Sequence, residues 1–237
     1  MTGNRFLRCS VPIAVLLLLI LSSVSFTGGA GDVEKVGWEE STPGRWHSRA
    51  ESSADAGGDS FRAEVSLSPG TGVEWEKRIT RDLTPEDSLS IEMESTGINR
   101  TSRDYRRFKA RFPVSVTVVF GDDSIDFTWR RRAKEFFQEL WYGFTPGGIR
   151  LTFAYCSDAP VQSMYRLGEE ETVFTLGGPE ERGKKIERSR KIIDDFRAAY
   201  GRDPKGPVTR ILVSTVRPSE EEGKIEVKVR VSSPLLR

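Results

Sequence analysis

The side chains best suited to ligand chemistry in this sequence are aromatic rings. Five of them form the candidate ligand-binding set: Trp129, Trp141, Tyr142, Tyr155 and Tyr165. An aromatic ring offers a flat apolar face and, in Trp and Tyr, a polar edge, and both suit a sugar ring. A row of such rings exposed on one sheet face would favour carbohydrate binding. The alternative is that these rings belong to the core.

Three aspartates form a candidate metal site. Asp122, Asp123 and Asp126 follow a predicted strand and lie close together in the sequence. Their oxygens are the ligand type that calcium prefers, but their spacing matches no complete calcium loop. The alternative is a solvated turn that caps the next helix. No other cofactor is predicted.

Catalytic residues are harder to assign. A glycosidase needs two carboxylates about 5–10 Å apart, and sequence alone does not reveal that pairing. The acidic runs 169–171 and 220–222 are interpreted as solvated turns next to edge strands. His47 is the single histidine in the sequence. Ser-His-Asp and Cys-His mechanisms are therefore excluded unless His47 itself is the catalytic histidine. The sequence contains no phosphate-binding loop or nucleophile elbow, so no catalytic residue is assigned.

The N-terminus has the pattern of a secretory signal peptide. Arg5 and Arg8 precede the apolar run 13–21, and small residues at 28–30 offer a cleavage site. The alternative is a retained membrane anchor. Nine apolar residues span only about 14 Å as a helix, roughly half a bilayer core, which favours cleavage. We therefore predict a signal peptide over 1–30 and a secreted or periplasmic protein.

Charge and cysteine content limit the partners. Removal of Arg5 and Arg8 with the signal changes the net charge from +1 to −1. A nearly neutral chain has no overall electrostatic attraction to nucleic acid or to an anionic membrane.

Loss of Cys9 leaves Cys156 alone, so no internal disulfide is expected. Stability must come from an ordinary hydrophobic core.

The mature chain divides by composition. Residues 31–59 are rich in Gly, Ser and acidic residues and predict a flexible N-terminal arm, which Trp38 and Trp46 would pin to the domain. From residue 60 to 237, apolar and polar residues alternate in many short segments. The last of these, 224–232, alternates without a break, so one of its faces is expected in the core and the other in water.

Two helices interrupt this pattern. Residues 125–142 place Trp129, Ala133 and Phe136 at helical spacing, which predicts an amphipathic helix inserted between strands. Residues 194–200 predict a short C-terminal helix that ends at Gly201. The fold is therefore predicted as mainly β, an antiparallel, jelly-roll-like β-sandwich with these two helices.

The C-terminal part resembles a bacterial secreted family known only as a domain of unknown function. The segment Asp195-Phe196-Arg197-Ala198-Ala199-Tyr200-Gly201, followed by Pro204 and an apolar strand, is similar to that family's Asp-Tyr-Arg, Phe-Gly and Pro signature. The family has tryptophans where this chain has Ile91 and Met93. The resemblance implies a jelly-roll-like sandwich related to sugar-binding modules, with no established activity, and no site residue is carried over.

These observations predict a noncatalytic binding domain outside the cytoplasm, with a glycan as the expected ligand. One alternative is an envelope protein that binds another protein through a sheet edge or the 125–142 helix. The other is a glycoside hydrolase or lyase that depends on carboxylates. A deep cleft with two close acids, one with a raised pKa, would favour the enzyme.

Overall fold

Two β-sheets packed face to face form the fold. The computed structural model describes residues 37–43, 47–99, 112–121, 148–155, 161, 163–167 and 170–237. All of these residues belong to one unit, 31–237. The predicted antiparallel, jelly-roll-like sandwich is confirmed, because neighbouring strands in both sheets are mostly antiparallel.

Among the described residues, the larger sheet has eight strands in the order β1-β5-β12-β7-β8-β10-β9, with β2 paired to β5. Its strands are β1 (Trp38–Ser41), β2 (Ser48–Arg49), β5 (Thr71–Arg81), β7 (Val114–Phe120), β8 (Ile149–Tyr155), β9 (Met164–Arg166), β10 (Glu171–Gly177) and β12 (Val208–Arg217). The pairs β8–β10 and β2–β5 are parallel, and the other pairs are antiparallel.

The smaller sheet, within the same described part of the chain, has five strands in the order β11-β6-β13-β4-β3, all antiparallel. Its strands are β3 (Glu51–Gly57), β4 (Ser60–Leu67), β6 (Ser88–Ser95), β11 (Ile186–Lys191) and β13 (Ile225–Ser232). Every second residue of β13 is buried, as the sequence alternation predicts, and charged residues occupy its outer face.

The core lies between the two sheets. It contains large side chains from both inner faces, including Phe61, Trp75, Ile91, Phe153 and Val213. Strand β7 is buried along its whole length, because its inner face lies in this core and its outer face is also covered. That double burial fits its Val-rich sequence, in which the only polar residues are the small Ser115 and Thr117.

The segment predicted as a flexible arm carries paired strands. Strand β1 is hydrogen-bonded to β5, and β3 is hydrogen-bonded to β4. Trp38 is 1% exposed, and its ring lies 4.3 Å from that of Phe61. Backbone pairing and this one large ring hold the segment, although its composition is polar. Trp46 lies outside the described residues.

The predicted C-terminal helix is present as α1 (Ile192–Tyr200), directly after β11. Phe196 packs edge-on against Phe120 at 4.7 Å, and Tyr200 lies 4.8 Å from Phe196. Arg190 forms a two-pronged ion pair with Asp195 and so ties the helix to the strand before it. Gly201 ends the helix with φ +69°, a conformation that glycine adopts without steric cost.

The turn between β12 and β13 is more buried than its acidic sequence suggests. Arg217 and Glu221 have side chains only 6% and 3% exposed, and their charged groups are 3.9 Å apart. Arg217 also donates to the carbonyls of Ile98, Glu222 and Gly223. The run 220–222 is therefore partly an internal ion-pair site, unlike the solvated turn predicted for it.

The predicted helix 125–142 lies outside the described residues. Within the part of the chain that the structure describes, no helix has the length and apolar character needed to span a membrane.

Candidate functional site

Two glutamates stand side by side on the outer face of the eight-stranded sheet. In β5, Val73, Trp75 and Lys77 point into the core, so Glu74 and Glu76 point the other way. Residues two apart on a strand share a face with Cα atoms about 6.7 Å apart. The two carboxyl groups are near enough for the charge of Glu76 to act on Glu74.

The surroundings of Glu74 favour the protonated form of its carboxyl. Burial raises the pKa of the Glu74 carboxyl, and the neighbouring Glu76 carboxylate raises it further. A hydrogen bond from Ser214 and the charge of Arg210 act in the opposite direction but do not outweigh these effects. A carboxyl with a raised pKa can keep a proton for donation, as a general acid must.

Glu76 has a different environment. Arg78 Nε donates to Glu76 Oε1 at 2.9 Å, and Arg210 Nη1 lies 3.9 Å from Glu76 Oε2. Arg78 Nη2 also reaches Glu39 at 3.5 Å on the adjoining strand. Ion pairs with two arginines thus place positive charge next to Glu76. The two acids therefore differ in environment: the pKa of Glu74 is raised, and Glu76 is paired with cations.

A β-bulge lies next to this pair. Val208 is opposite Arg81 and Arg210 is opposite Arg78, so Ile79 and Thr80 face the single residue Thr209. An open groove of about 390 Å³ lies at this irregularity, lined by Arg78, Ile79, Thr80, Thr209 and Arg210. Bulges bend a strand and redirect its side chains, and they are common next to active sites.

A second polar group occupies the far half of the same face. Thr152 donates to Glu171 Oε1 at 2.8 Å, and the hydroxyls of Thr152 and Thr117 are 3.0 Å apart. Strand β10, which carries Glu171, lies four strands from β5, about 19 Å at normal strand spacing. Glu171 is therefore too distant to serve as the direct partner of Glu74.

The aromatic residues predicted to bind a ligand do not form an exposed row in the described structure. Tyr155 is fully buried between the sheets, and burial raises its pKa to about 12. Tyr165 is half-buried and packs with Phe112, Ala154 and Val173. The buried Tyr155 ring is therefore not available to stack on a sugar, and a ligand-binding role of Tyr165 stays a prediction. Trp129, Trp141 and Tyr142 lie outside the described residues.

The predicted calcium ligands Asp122, Asp123 and Asp126 also lie outside the described residues. Among the residues that are described, no three His, Cys, Asp or Glu side chains come together in a group that could hold a metal ion.

Glu74 and Glu76 were missed in the sequence because β5 was interpreted through its apolar face. The same alternation that buries Val73 and Trp75 puts Glu74, Glu76 and Arg78 on the opposite face. The order of Glu74, Glu76 and Arg78 at every second position could have indicated a polar site on that face. The contribution of Ser214 was not predictable, because it depends on β12 pairing with β5 across more than a hundred residues.

No family model matches the chain, and no curated protein matches its sequence. Solved structures do match. The chain is similar to endoglucanase 3 of family GH12 from Trichoderma harzianum, with 12% identity over 88% of this chain and 92% of that one and a TM-score of 0.46. It is similar to the Humicola grisea Cel12A catalytic domain, solved with a thio cellotetraose, with 10% identity over 84% and 92% and a TM-score of 0.45.

A third similar structure is the xyloglucanase domain of NopAA, a type three effector from Sinorhizobium fredii, solved with cellobiose. Its identity is 9% over 83% of this chain and 94% of that one, with a TM-score of 0.38.

The prediction of a noncatalytic binding or interaction domain is corrected. The similar structures are domains of glycan-cleaving enzymes. Independently of them, the described sheet faces expose no large aromatic ring, and Met164 is their one exposed large apolar side chain. The outer face of the larger sheet instead carries two close acids, one with a raised pKa. Those are the features that favour an enzyme over a binding module.

Proposed function

We propose that this protein is a glycoside hydrolase in which Glu74 and Glu76 are the catalytic carboxylates. The observation that carries the proposal is the pair itself. Glu74 and Glu76 share one sheet face, burial and the Glu76 charge raise the pKa of Glu74, and two arginines flank Glu76. Glycoside hydrolysis requires one protonated and one ionised carboxyl on either side of the scissile bond.

In the proposed reaction, Glu74 donates its proton to the glycosidic oxygen as the bond to the leaving sugar breaks. Glu76 supplies negative charge at the anomeric carbon, either by attacking it or by taking a proton from the attacking water. The two routes give products of opposite anomeric configuration, and proton NMR of the first product distinguishes them. The N-terminal signal pattern supports action on glycans outside the cytoplasm.

The test measures release of reducing ends from a panel of neutral and acidic polysaccharides. Glu74→Gln and Glu76→Gln should each reduce the rate about a hundredfold or more, as expected for loss of an acid or base group. Glu64→Gln is the matched control. Glu64 is also two residues from an arginine on its strand, at 2.6 Å from Arg62, but lies on the smaller sheet. That variant should keep full activity.

Two results would overturn the proposal. One is a folded wild-type protein that cleaves nothing in the panel. The other is a hydrolase whose rate is unchanged in both glutamine variants, which would place the catalytic acids elsewhere in the chain.

A further inference from the structure

The smaller sheet ends at strand β3, and among the described residues no further strand pairs with its outer edge. Its seven residues, Glu51–Gly57, include no lysine, arginine or proline, and their register with β4 has no bulge. Those are the features by which proteins usually prevent another chain from pairing with a strand edge. The other terminal strands differ, because β1 and β9 have only four and three residues and β11 carries Arg188, Arg190 and Lys191.

The turn between β3 and β4 indicates which backbone groups of β3 point away from β4. Gly57 pairs with Ser60 across a two-residue turn, and the residues that flank such a turn exchange backbone hydrogen bonds. Bonded and non-bonded pairs then alternate along an antiparallel ladder. The odd-numbered residues of β3 therefore bond to β4. Ser52, Ala54 and Ala56 direct their N–H and C=O groups towards the outer edge, where an added strand can bind them.

Two copies of this edge fit each other around a twofold axis at Ala54. The antiparallel register centred on Ala54 pairs all seven residues of both copies, whereas a shift of the centre by two residues leaves three of them paired. In the centred register, Asp55 lies opposite Ser53 of the second copy, and Glu51 lies opposite its Gly57. No two charges of the same sign are directly opposed, and a serine hydroxyl can donate to the carboxylate across from it.

The side chains of β3 leave room for this pairing. The half-buried inner face carries only the small side chains of Ser52, Ala54 and Ala56. On the exposed outer face, Lys224 Nζ lies 3.7 Å from Glu51 Oε2, and Arg62 is the partner of Asp55 in the β3–β4 register. Each acid thus has a cation nearby in its own copy, and no bulky side chain separates the two backbones.

We propose that two copies of this protein associate through β3, so that their five-stranded sheets join into one continuous sheet. The outward backbone groups of Ser52, Ala54 and Ala56 in each copy supply the hydrogen bonds. A single strand pair is small beside a standard interface of about 1,600 Å², so the dimer is reversible, with a Kd in the micromolar range. This inference does not depend on the hydrolase proposal, because Glu74 and Glu76 take no part in it.

Sedimentation equilibrium of the purified protein, from about 1 to about 100 µM, tests for the dimer. The wild type should pass from monomer to dimer across this range. Ala54→Pro should stay monomeric, because proline removes an outward N–H and its ring obstructs the edge. The hydrogen bonds to β4 should remain, since proline is tolerated on an edge strand where its nitrogen faces away from the ladder. Circular dichroism checks that the variant is folded.

Two substitutions of Ser53 test the register and do not depend on the proline variant. Ser53→Lys places a cation opposite Asp55 of the second copy and should lower the Kd severalfold. Ser53→Asp places two acids opposite each other and should raise the Kd about tenfold. Ser189→Lys and Ser189→Asp are the matched controls, because Ser189 is the exposed serine of another edge strand, β11. Neither control should change the Kd.

Three results would overturn the proposal. The first is a wild-type protein that stays monomeric at every concentration, which would leave the β3 edge to a segment of some other protein. The second is a dimer of unchanged Kd in a folded Ala54→Pro protein, which would place the contact elsewhere. The third is a pair of Ser53 variants whose Kd values differ no more than those of the Ser189 variants.

Discussion

At the scale of single residues, Glu74 differs from an ordinary surface glutamate because partial burial and a neighbouring acid raise the pKa of its carboxyl. A Glu pKa that is higher in the folded than in the unfolded state contributes stability below the unfolded value of about 4.5. That contribution is lost as the pH rises through the folded pKa, because the carboxyl must then ionise in a buried position.

Replacing Glu74 with Gln should remove this dependence. The wild-type free energy of unfolding should fall relative to that of Glu74→Gln as the pH rises from 4 to 8. Urea unfolding at several pH values measures the difference. The buried acid Asp195 also has a raised pKa, chiefly from burial. Because both proteins contain Asp195, its contribution cancels in the difference between their free energies of unfolding. Parallel stability curves would show that Glu74 ionises normally in the folded state.

At the scale of elements, the turn after β12 depends on one buried cation. Arg217 donates to the Ile98 carbonyl at 2.9 Å and to Asn99 Oδ1 at 3.1 Å, and it lies beside the buried Glu221. Its replacement by Met should cost about 3–5 kcal/mol, since the Glu221 charge and several carbonyls would remain buried without their partner.

Urea unfolding of Arg217→Met measures that cost, and Arg62→Met is the control. The Arg62–Glu64 pair is solvent-exposed, and removing such a pair should cost about 1 kcal/mol or less. Similar losses in the two variants would mean that the Arg217 cluster contributes no more than a surface ion pair.

The strands themselves were largely predictable, because period-two alternation is a local signal. Strand β13, the all-buried β7 and the passage from β11 into α1 follow the sequence pattern closely. The pairing of strands was not predictable, since the contact of Glu74 with Ser214 depends on distant segments meeting in register. The bulge opposite Thr209, and with it the groove, has the same non-local origin. The resemblance to a secreted family of unknown function stays a prediction.

At the scale of the whole molecule, the polar segment before residue 60 belongs to both sheets. Trp38 anchors it by filling a space next to Phe61, whose ring in turn lies 5.4 Å from Trp75. Trp38→Ala should lower the free energy of unfolding by about 3–5 kcal/mol, the usual cost of a large-to-small core change.

Thermal and urea unfolding of Trp38→Ala test this expectation. Met164→Ala is the comparison, because Met164 is 46% exposed and its loss should change stability by less than about 0.5 kcal/mol. A Trp38 variant as stable as the Met164 variant would restore the interpretation of residues 31–59 as a loosely attached arm.

The position of the last two strands has a consequence for how the protein acquires its structure. Strand β12 lies between β5 and β7 in one sheet, and β13 lies between β4 and β6 in the other. Each sheet therefore lacks a central strand until the C-terminal segment has been synthesised, and the earlier strands cannot close the gap by themselves. Such long-range pairing slows folding and leaves strand edges open to aggregation. Assembly of both sheets thus waits for the two consecutive strands β12 and β13, one for each sheet.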